Sequence, residues 1–312
     1  MSIVGKLLYQ YYFRPFVQPV LRLKEDGWFI GRKKIKKGFQ EMKMNASSLI
    51  VECACREQSP YPPVHFLTGK KYWYQTIHCI YSLLKNISIP IHIIIHDDGT
   101  FDTLLIAQIK SQVKNCSIDV FKESTRRVLN TLDKSKYPYL INNREKLPLL
   151  YKLLDCHIGY PGYNLLLDSD MLFFHPPKEI EDWLKNPKET IYMQDKYNSY
   201  FYSFQLLNET IKKPIRQFVN SGIIGLNNDL INWEEVEIWM KNLIDNQGLN
   251  YFIEQVIHAL IITKYGGKNL SPIEYTIIPE LKEVLECKAH LHHYPTGYRQ
   301  NYFRTTWRKF KC

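Results

Sequence analysis

The sequence predicts an α/β fold with a mainly parallel central sheet flanked by helices, forming a single domain with basic extensions at both ends. Three observations support this prediction. Short β-rich runs alternate with segments of helical periodicity, which is typical of βαβ units with right-handed crossovers. The chain has 312 residues, 45% of them hydrophobic, which is enough for one large core. Lys and Arg are concentrated near the ends, so we expect the domain over residues 46–296, between extensions at 1–45 and 297–312.

The first half of the expected domain contains strands that alternate with helices. Between Trp73 and Leu84, apolar residues recur at i, i+4, i+7, i+8 and i+11, which places them on one face of a helix. The apolar run Ile89–Ile95 ends at a turn over residues 97–99, as a buried strand would. The elements expected here are strands at 48–55 and 64–67, a helix at 73–84, a strand at 89–95, a helix at 101–115 and a strand at 117–121.

The second half is predicted to centre on a strand that ends in two acidic residues. Helical spacing of apolar residues predicts a helix at 144–158, with Pro148 in its first turn. The strand Tyr163–Leu167 then runs directly into the D-S-D triplet at 168–170. Because ligands of open α/β sheets bind beyond the carboxyl ends of the strands, these acids lie where a ligand is expected. The elements expected further on are strands at 190–194 and 219–226 and helices at 233–245 and 251–264.

The distribution of charge distinguishes the body of the domain from its ends. The net charge of +10 comprises +7 in residues 1–45 and +5 in residues 297–312, so the remainder carries −2. A nucleic-acid-binding protein more often carries its basic stripe on the folded body, so nucleic acid is not an expected partner. The N-terminal segment interleaves aromatic residues with Lys and Arg, which is the composition of an interfacial membrane anchor. A basic arm packed on the protein's own surface is equally open, since Pro15 and Pro19 interrupt any long helix.

Several kinds of segment and site are not expected. No apolar run approaches the ~20 residues that a membrane-spanning helix needs, and the first residues lack the apolar core of a secretory signal. We therefore expect a cytoplasmic protein that could associate with the inner face of a membrane. The seven cysteines are odd in number and lie mostly in apolar segments, so disulfides are not expected. Cys53 and Cys55 also have the wrong spacing for structural zinc.

The D-S-D triplet is the strongest functional pattern in the sequence. Apolar residues flank it on both sides, and carboxylates in such surroundings cost several kcal/mol per ion unless cations or hydrogen bonds compensate. Mg²⁺ and Mn²⁺ favour oxygen ligands and commonly combine one or two carboxylates with substrate phosphates. The pattern therefore predicts that Asp168 and Asp170 bind Mn²⁺ or Mg²⁺ together with a diphosphate. A solvated turn after a strand is the plain alternative.

Several further stretches carry motifs in a recognisable order. They are HFLTGKKYWYQTIHCIYSLL (65–84), LLLDSDMLFF (165–174), FVNSGIIGLN (218–227), FIEQVIHAL (252–260) and HHYPTGYR (292–299). In this order they resemble the GT-A superfamily of glycosyltransferases, and most closely the pattern of the glycogenin-like retaining families. The resemblance covers roughly residues 62 to 300. It implies a hexosyltransferase that moves a sugar from a nucleotide-sugar donor, with UDP as the expected nucleotide, to a glycan or lipid-linked acceptor.

The resemblance also assigns roles to residues at matching positions. Asp168, Asp170 and His293 would bind the metal, and Asp170 would also belong to the catalytic group. Glu254 and Gln255 would lie near the anomeric carbon, as a general base or as polar stabilisers of an oxocarbenium-like centre. The residues expected to contact the nucleotide sugar are Thr68, Asp97, Asp98, Arg144, Lys152, Asp168, Ser169, Asn220, Ser221, Gly222 and Arg299.

Most of these roles have an ordinary structural alternative. Asn220 and Ser221 could form a satisfied polar pair in the core, because buried polar side chains need partners of some kind. Glu254 could simply pair with His258, which follows it by four residues on one predicted helix. The acidic turn at 97–99 could be a plain connector, since Asp and Gly are common turn residues.

Two rival functions are left open by the sequence. A haloacid-dehalogenase-like phosphatase also places D-x-D after an apolar strand and would use Asp168 as its nucleophile, although Leu172 stands where that family has Thr or Val. A non-catalytic membrane-binding adaptor on a transferase fold is the other, which the near-neutral body and the intact acids disfavour. The late motif itself departs from the glycogenin-like pattern: Gly297 follows His293 by four residues instead of three, while Arg299 keeps the family's offset.

Overall fold

The computed structural model describes residues 28–295 and 297–311, with side chains from residue 31 onward. The helices within these residues are α1 (Trp28–Ala46), α2 (Trp73–Asn86), α3 (Thr103–Gln112), α4 (Phe121–Thr131), α5 (Pro138–Arg144), α6 (Leu149–Leu154), α7 (Lys178–Lys185), α8 (Phe204–Ile211), α9 (Trp233–Gln247), α10 (Ile253–Tyr265), α11 (Leu281–Glu286) and α12 (Gln300–Arg304). The strands are β1 (Val51–Glu52), β2 (Val64–Thr68), β3 (Ile93–Asp97), β4 (Val113–Lys114), β5 (Ser117–Asp119), β6 (Tyr163–Leu167), β7 (Met171–Phe173), β8 (Ile191–Gln194), β9 (Val219–Asn227), β10 (Lys268–Asn269), β11 (Tyr275–Ile277) and β12 (Leu291–His293).

The central sheet has seven strands in the order β10-β8-β9-β6-β2-β3-β5. Strand β9 runs antiparallel to its neighbours β6 and β8, and the other four pairings are parallel. Helices connect the parallel strands, as α2 does between β2 and β3, which is the arrangement that a parallel pair requires. The predicted α/β fold with a mainly parallel sheet is therefore confirmed. A smaller sheet, β11-β12-β7, lies beside it and carries part of the site described below.

The side chains of each strand alternate between two apolar layers, one on each face of the sheet. In β6, Leu165 and Leu167 belong to the layer that contains α1, α2 and α3, whereas Leu166 belongs to the layer that contains α6, α9 and α10. In β9, Ile223 and Ile224 divide in the same way. This alternation with a period of two follows from strand geometry, and it holds the carboxyl end of β6 between two buried layers.

Several predicted elements differ from the observed ones: the helix expected at 101–115 ends at Gln112, where β4 begins, and the strand expected at 89–95 lies at 93–97. Two further differences have clear physical reasons. The single helix expected at 144–158 is wrong, because α5 and α6 are separate helices and Pro148 lies just before α6. Proline has no N–H to donate, and its ring disfavours helical geometry in the residue before it, so the helix ends and begins again at that point. The strand expected at 48–55 is reduced to β1, since its partner β4 is itself only two residues long.

Helix α1 and the C-terminal helix α12 pack against each other beside α2. A Cβ atom at Gly38 would lie 2.1 Å from the carbonyl oxygen of Phe303, so only glycine permits this approach. Phe39 lies edge-on to Phe303 and to Tyr74, at 5.6 and 5.1 Å between ring centroids. The rest of the predicted N-terminal segment, residues 1–27, lies outside the described residues. Within the described part of the chain, no helix has both the length and the apolar composition needed to cross a membrane.

Candidate active site

The D-S-D triplet forms the turn between β6 and β7, at the carboxyl end of β6 as predicted. The backbone N–H of Asp168 donates to the carbonyl oxygen of Gly222 on β9 at 2.8 Å, which fixes the turn to the neighbouring strand. Asp168 is half-buried and Asp170 is buried. Both carboxylates therefore emerge where β6 ends, between its neighbours β2 and β9.

A third potential metal ligand reaches this turn from the smaller sheet. His293 lies on β12, which pairs antiparallel with β7 so that His293 is opposite Met171. Its Nε2 atom lies 3.2 Å from Oδ1 of Asp170 and 3.7 Å from Oδ2 of Asp168. The ligand atoms of the three residues all lie within 4.8 Å of one another, and no other such group occurs among residues 28–295 and 297–311. Two carboxylates and an imidazole are a donor set that suits Mn²⁺ and is compatible with Mg²⁺.

Gly222 makes room for the His293 imidazole. A Cβ atom at this position would lie 2.6 Å from Cε1 of His293 and 2.7 Å from Oδ1 of Asn220, both far inside normal contact distance. The side-chain oxygen of Asn220 accepts a hydrogen bond from the Gly222 N–H at 2.8 Å. The predicted Asn220 and Gly222 therefore lie together against the metal-ligand group.

Lys152, on α6, is buried against the first carboxylate. Its Nζ atom donates to Oδ1 of Asp168 at 2.6 Å and to the carbonyl oxygen of Ser221 at 2.5 Å. Burial alone would lower the pKa of Lys152, but Asp168 and Glu254 outweigh burial and raise it. The lysine is therefore a fixed positive charge within the site.

Arg299 supplies a second cation from the C-terminal segment. Its Nη2 and Nε atoms lie 2.7 and 3.2 Å from Oδ2 of Asp170, and its guanidinium lies over the ring of Tyr72 at 5.2 Å from the centroid. Burial would raise the pKa of Asp170, but Arg299 and then His293 outweigh it and hold that pKa well below its usual range. Asp170 is therefore ionised, as a metal ligand must be.

Glu254, at the start of α10, is buried behind the metal-ligand group. Its Oε2 atom accepts a hydrogen bond from the Ser221 hydroxyl at 2.9 Å, and its Oε1 atom lies 3.8 Å from Nζ of Lys152. His258 Nδ1 lies 2.9 Å from the same Oε1, so the expected pairing along the helix is present as well. Burial would raise the pKa of Glu254, but Lys152 and His258 lower it to about 2.

Asp195 was not predicted from the sequence, although the structure brings it to the same group. It follows β8 and is buried, and its Oδ2 atom lies 3.5 Å from the amide nitrogen of Asn220 and 3.4 Å from that of Gln255. Burial outweighs the Asn220 contact and raises the pKa of Asp195. The signal for it was an acid directly after the apolar strand IYMQ, the same pattern that identified Asp168.

Thr68 and Ser169, the middle residue of the D-S-D turn, are linked through one hydroxyl of α2. The Thr76 hydroxyl on α2 lies 2.7 Å from the Thr68 hydroxyl and 2.8 Å from the Ser169 hydroxyl. Ser169 also donates to the carbonyl oxygen of Leu67 at 3.2 Å. These hydroxyls connect β2, α2 and the D-S-D turn at the edge where the nucleotide is expected.

The carboxylates of Asp97 and Asp98, at the end of β3, accept hydrogen bonds mainly from backbone N–H groups of nearby loops. Asp97 accepts backbone hydrogen bonds from Gly99, Phe101 and Phe121 at 2.8, 3.0 and 3.2 Å, which is the connector role that the sequence left open. Asp98 accepts from the N–H of Thr100 at 3.1 Å and is half-buried, and burial raises its pKa. Asp98 is therefore the more accessible of the two carboxylates.

Arg144 does not contact the metal-ligand group. It forms a buried two-point ion pair with Asp155, at 2.8 and 2.5 Å, and donates to the hydroxyl of Thr125 at 2.9 Å. Its guanidinium lies over the rings of Phe121 and Tyr151, at 5.0 and 4.7 Å from their centroids. Of the predicted cations, the structure therefore brings Lys152 and Arg299 to the acids but not Arg144.

Comparison with known proteins shows which solved structures this fold resembles. No protein-family model and no curated protein matches this chain. Its structure is similar to that of the bifunctional glycosyltransferase WbbM in its apo form, with 14% sequence identity and a TM-score of 0.50 over 82% of this chain. This chain spans about half (52%) of the WbbM chain. Mouse xyloside xylosyltransferase 1 has 11% identity and a TM-score of 0.49, over 80% of this chain and 99% of its own.

The galactosyltransferase LgtC, in complex with donor and acceptor sugar analogues, is also similar, with 12% identity and a TM-score of 0.45 over 78% of this chain and 83% of its own. Identities this low establish the fold alone. The chain therefore has the GT-A glycosyltransferase fold, with an Asp-Asp-His group at the position of the D-x-D turn. The phosphatase alternative receives no support from this fold.

Proposed function

We propose that this protein is a metal-dependent glycosyltransferase, of hexosyltransferase type, that transfers a sugar from a UDP-sugar to a glycan or lipid-linked acceptor. The observation that carries the proposal is the group of Asp168, Asp170 and His293 at the carboxyl end of β6, with Lys152 and Arg299 beside it. The glycosyltransferase fold supports the same reaction class.

A divalent ion fits this group. The three side chains provide two carboxylate oxygens and an imidazole nitrogen within 4.8 Å of one another, and Nε2 of His293 lies towards both carboxylates. Asp168, Asp170 and His293 would hold Mn²⁺ or Mg²⁺. Such an ion would neutralise charge on the diphosphate leaving group. Because Gly222 has no side chain, the His293 imidazole has space beside the two carboxylates.

Lys152 and Arg299 have distinct proposed tasks. Lys152 is buried between Asp168 and the Ser221 carbonyl, so we assign to it the orientation of Asp168 and a fixed positive charge near the donor. The guanidinium of Arg299 is partly exposed and has fixed donors that suit phosphate oxygens, so we assign to it a contact with the diphosphate. Preorganised positive charge of this kind stabilises the charge that develops on a leaving group.

The polar residues behind the metal-ligand group would face the transferred sugar. Glu254, Gln255, Asp195 and Asn220 are all buried, and the Asp195 carboxylate lies beside the amides of Asn220 and Gln255. Buried polar groups of this kind can bind sugar hydroxyls and stabilise an oxocarbenium-like centre. We assign the donor sugar to this side of the metal-ligand group and the nucleotide to the edge formed by Thr68 and α2.

A lipid-linked or membrane-surface acceptor is supported by the basic surface that α1 and the C-terminal segment share. Lys33, Lys34 and Lys36 are exposed on α1, and Arg308 pairs with Glu41 of the same helix at 2.9 Å between Nη2 and Oε2. Two basic segments far apart in the sequence are thus joined into one surface. Each basic residue near anionic lipid contributes ~1 kcal/mol of attraction. We therefore propose peripheral association with an anionic membrane.

Donor hydrolysis tests the proposal directly. A panel of UDP-sugars is incubated with the protein in Mn²⁺, in Mg²⁺ and in EDTA, and the release of UDP is measured. We expect turnover of at least one UDP-sugar with a divalent ion and none in EDTA or in the Asp170→Asn variant. Asp182→Asn is the matched control, because Asp182 is an exposed acid on α7 away from the site. Metal-independent turnover, or release of inorganic phosphate from phosphate esters instead, would overturn the proposal.

A further inference from the structure

Arg299, the cation that contacts Asp170, lies at the start of α12. Its backbone occupies the N-cap position of this helix, and its carbonyl oxygen accepts a hydrogen bond from the N–H of Phe303 at 3.0 Å. Its Nη2 atom donates to Oδ2 of Asp170 at 2.7 Å, and its Nε atom lies 3.3 Å from the carbonyl oxygen of Tyr294. The position of the guanidinium therefore depends on where α12 lies.

The backbone of α12 rests directly on the backbone of α1. A Cβ atom at Gly38 would lie 2.1 Å from the carbonyl oxygen of Phe303 and 2.9 Å from its carbonyl carbon. Because atoms in ordinary contact lie about 3.4 Å apart, even a methyl group at this position would displace α12 by roughly 1 Å. Gly38 is buried, and its lack of a side chain is what permits the close approach of the two helices.

Side chains also hold the C-terminal segment against α1. Phe39 lies edge-on to Phe303, at 5.6 Å between ring centroids. Arg308 pairs with Glu41 of α1, at 2.9 Å between Nη2 and Oε2. Within the segment, the buried indole of Trp307 donates to the carbonyl oxygen of Phe303 at 2.8 Å, which fixes the carbonyl group that faces α1.

Helix α1 is itself fixed to the core of the domain. Met42 and Ala46 are fully buried, and the carbonyl oxygen of Met42 lies 3.3 Å from Nε2 of His78 on α2. The carbonyl oxygen of Ala46 accepts a hydrogen bond from the side chain of Gln112, at the end of α3. Contacts between packed elements therefore lead from the domain core through α1 and α12 to the guanidinium beside Asp170.

On its other side, α12 lies against the strand that carries His293. Tyr302 of α12 is fully buried, and its ring lies 5.0 Å from the ring of Tyr294, which directly follows β12. The N–H of Tyr294 donates to the carbonyl oxygen of Asp170 at 2.9 Å. Helix α12 is thus held between α1 and the metal-ligand group, so a displacement from the α1 side is directed towards the site.

We propose that Gly38 is a positioning residue of the candidate active site. Because it has no side chain, α12 lies close enough to α1 for the Arg299 guanidinium to reach Asp170 in its present geometry. A shift of α12 by roughly 1 Å would weaken these charge-assisted hydrogen bonds, whose geometry is strict. Gly38 acts only through Phe303 and Arg299. The placement of Arg299 on Asp170 is independent of the proposed function, whereas its consequence for diphosphate binding rests on that function.

Nuclear magnetic resonance tests this placement without any nucleotide. The full chain is labelled with ¹⁵N-arginine, and the Nε–H signal of Arg299 is identified by its loss in Arg299→Gln. In Gly38→Ala we expect this hydrogen to exchange with water at least about tenfold faster than in the wild type, because the hydrogen bonds that protect it are lengthened. Alanine favours helices, so α1 itself is not weakened by the change. An unchanged exchange rate at Arg299 in folded Gly38→Ala would overturn the proposal.

Gly225→Ala is the matched control. A Cβ atom at Gly225, on β9, would also lie only 2.7 Å from a neighbour, in this case a side-chain atom of β8. Exchange at Arg299 should stay within about twofold of the wild type in this variant, because its clash is independent of α12. If Gly38→Ala does not fold, Phe39→Ala removes a ring that packs on α12 and should accelerate the exchange instead. Equal acceleration in Gly38→Ala and Gly225→Ala would refute a specific role for Gly38.

Calorimetry of UDP binding in Mn²⁺ tests the consequence for the diphosphate. We expect UDP to bind about tenfold more weakly to Gly38→Ala, and at least about tenfold more weakly to Arg299→Gln, since hydrogen bonds to a charged group are lost. If Gly38 acts through Arg299, adding Gly38→Ala to Arg299→Gln should weaken binding by no more than about a further twofold, because the two losses are not independent.

The double variant distinguishes a positioning role from a general loss of structure. The same loss from Gly38→Ala with and without Arg299 would show that Gly38 does not act through this residue, which contradicts the proposal. If the wild type binds no UDP, the proposed function fails, and the exchange experiment still decides whether Gly38 places Arg299 on Asp170.

Discussion

The ammonium of Lys152 lies 2.6 Å from Oδ1 of Asp168, which gives the first acid of the D-S-D turn a permanent buried counter-ion. Removal of this lysine leaves both Asp168 and Glu254 without their principal cation. We expect Lys152→Met to lower the free energy of unfolding by about 3–5 kcal/mol, the usual cost of breaking a buried pair from one side. We also expect kcat for UDP-sugar hydrolysis to fall at least about 100-fold, since a preorganised charge is lost.

Lys241→Met is the matched control for that variant. Lys241 pairs with Asp245 on α9, both side chains are exposed, and exposed pairs contribute about 0.5 kcal/mol. Urea denaturation and the hydrolysis assay are run on both variants. Similar losses in the two variants, or normal turnover in Lys152→Met, would mean that Lys152 has no special role at the site.

Binding of UDP should depend on a divalent ion. Asp170 and Asp168 carry negative charge towards the place proposed for the diphosphate, and without a cation they repel it. We expect calorimetry to give at least about tenfold weaker UDP binding in EDTA than in Mn²⁺, which corresponds to ~1.4 kcal/mol. Equal affinity under both conditions would contradict a metal-bridged diphosphate.

Gly222 and Gly225 lie on the same strand and allow a paired test of the metal site. In Gly222→Ala the new methyl group would meet Cε1 of His293 at 2.6 Å, so the imidazole must shift from its present position beside the carboxylates. We expect this variant to lose Mn²⁺ affinity about tenfold or more, because a ligand is displaced. In Gly225→Ala the methyl group would meet Ile191 and Trp183 at 2.7 and 2.8 Å instead.

Gly225→Ala should therefore lose stability through overpacking, by about 1–3 kcal/mol, while its Mn²⁺ affinity stays normal. Electron paramagnetic resonance of bound Mn²⁺ and thermal unfolding distinguish the two effects. Unchanged Mn²⁺ binding in Gly222→Ala would show that His293 is not a ligand.

Stability should fall as the pH drops below about 6.5, because several histidines are buried in the neutral form. Burial lowers the pKa of each member of this set, which comprises His65, His78 (to about 4), His157 (to about 3) and His292. Below pH 6.5 the unfolded chain binds protons at these positions and the folded chain does not, so acid favours unfolding. Each histidine contributes a slope of about 1.4 kcal/mol per pH unit between pH 6.5 and its own folded pKa.

The His78→Gln variant tests whether buried neutral histidines cause the loss of stability in acid. His78 contributes one of the protons that are bound on unfolding. In the variant, the free energy of unfolding should therefore depend less steeply on pH, by about 1.4 kcal/mol per pH unit between pH 6 and 5. Urea denaturation at several pH values measures the slope. The same slope in the wild type and the variant would assign the acid sensitivity to other groups.

The parts of the molecule that the sequence predicted best depend on local signals. Strand β6 has the predicted bounds, and the acids that follow it emerge at the predicted edge, because an apolar run followed by carboxylates is visible within ten residues. His293 was identified through a motif rather than a spacing rule. Its approach to Asp170 depends on the pairing of β12 with β7, which no local pattern indicates.

The parts that were missed depend on contacts between distant segments. Asp195 joins the site only because β8 pairs with β9 and brings it to Asn220. His157 was assigned to a helix that the structure divides at Pro148, and its partner His258 lies on α10, so the contact between these two imidazoles could not be derived from spacing. The sequence indicated that buried polar residues need hydrogen-bond partners, but it did not indicate which residues these partners are.

The surface shared by α1 and the C-terminal segment gives the last prediction, that the protein binds anionic membranes. Lys33, Lys34 and Lys36 are exposed on α1, and replacing all three with Gln removes three positive charges without adding negative ones. At ~1 kcal/mol per basic residue, we expect binding to anionic liposomes to weaken about 100-fold or more. Co-sedimentation at low salt measures it, and binding should also weaken at 1 M salt, where the Debye length is only about 3 Å.

The control replaces Lys110, Lys122 and Lys188, three exposed lysines on other parts of the surface, with Gln. This variant has the same net charge as the α1 variant, so a difference in liposome binding must come from where the charges lie. Neither the two variants nor the wild type should bind neutral liposomes through this surface, because the attraction is electrostatic. If the two variants bind anionic liposomes equally, the attraction is a property of the net charge of +10 and not of α1. In that case the basic residues of α1 give no support to a membrane-bound acceptor.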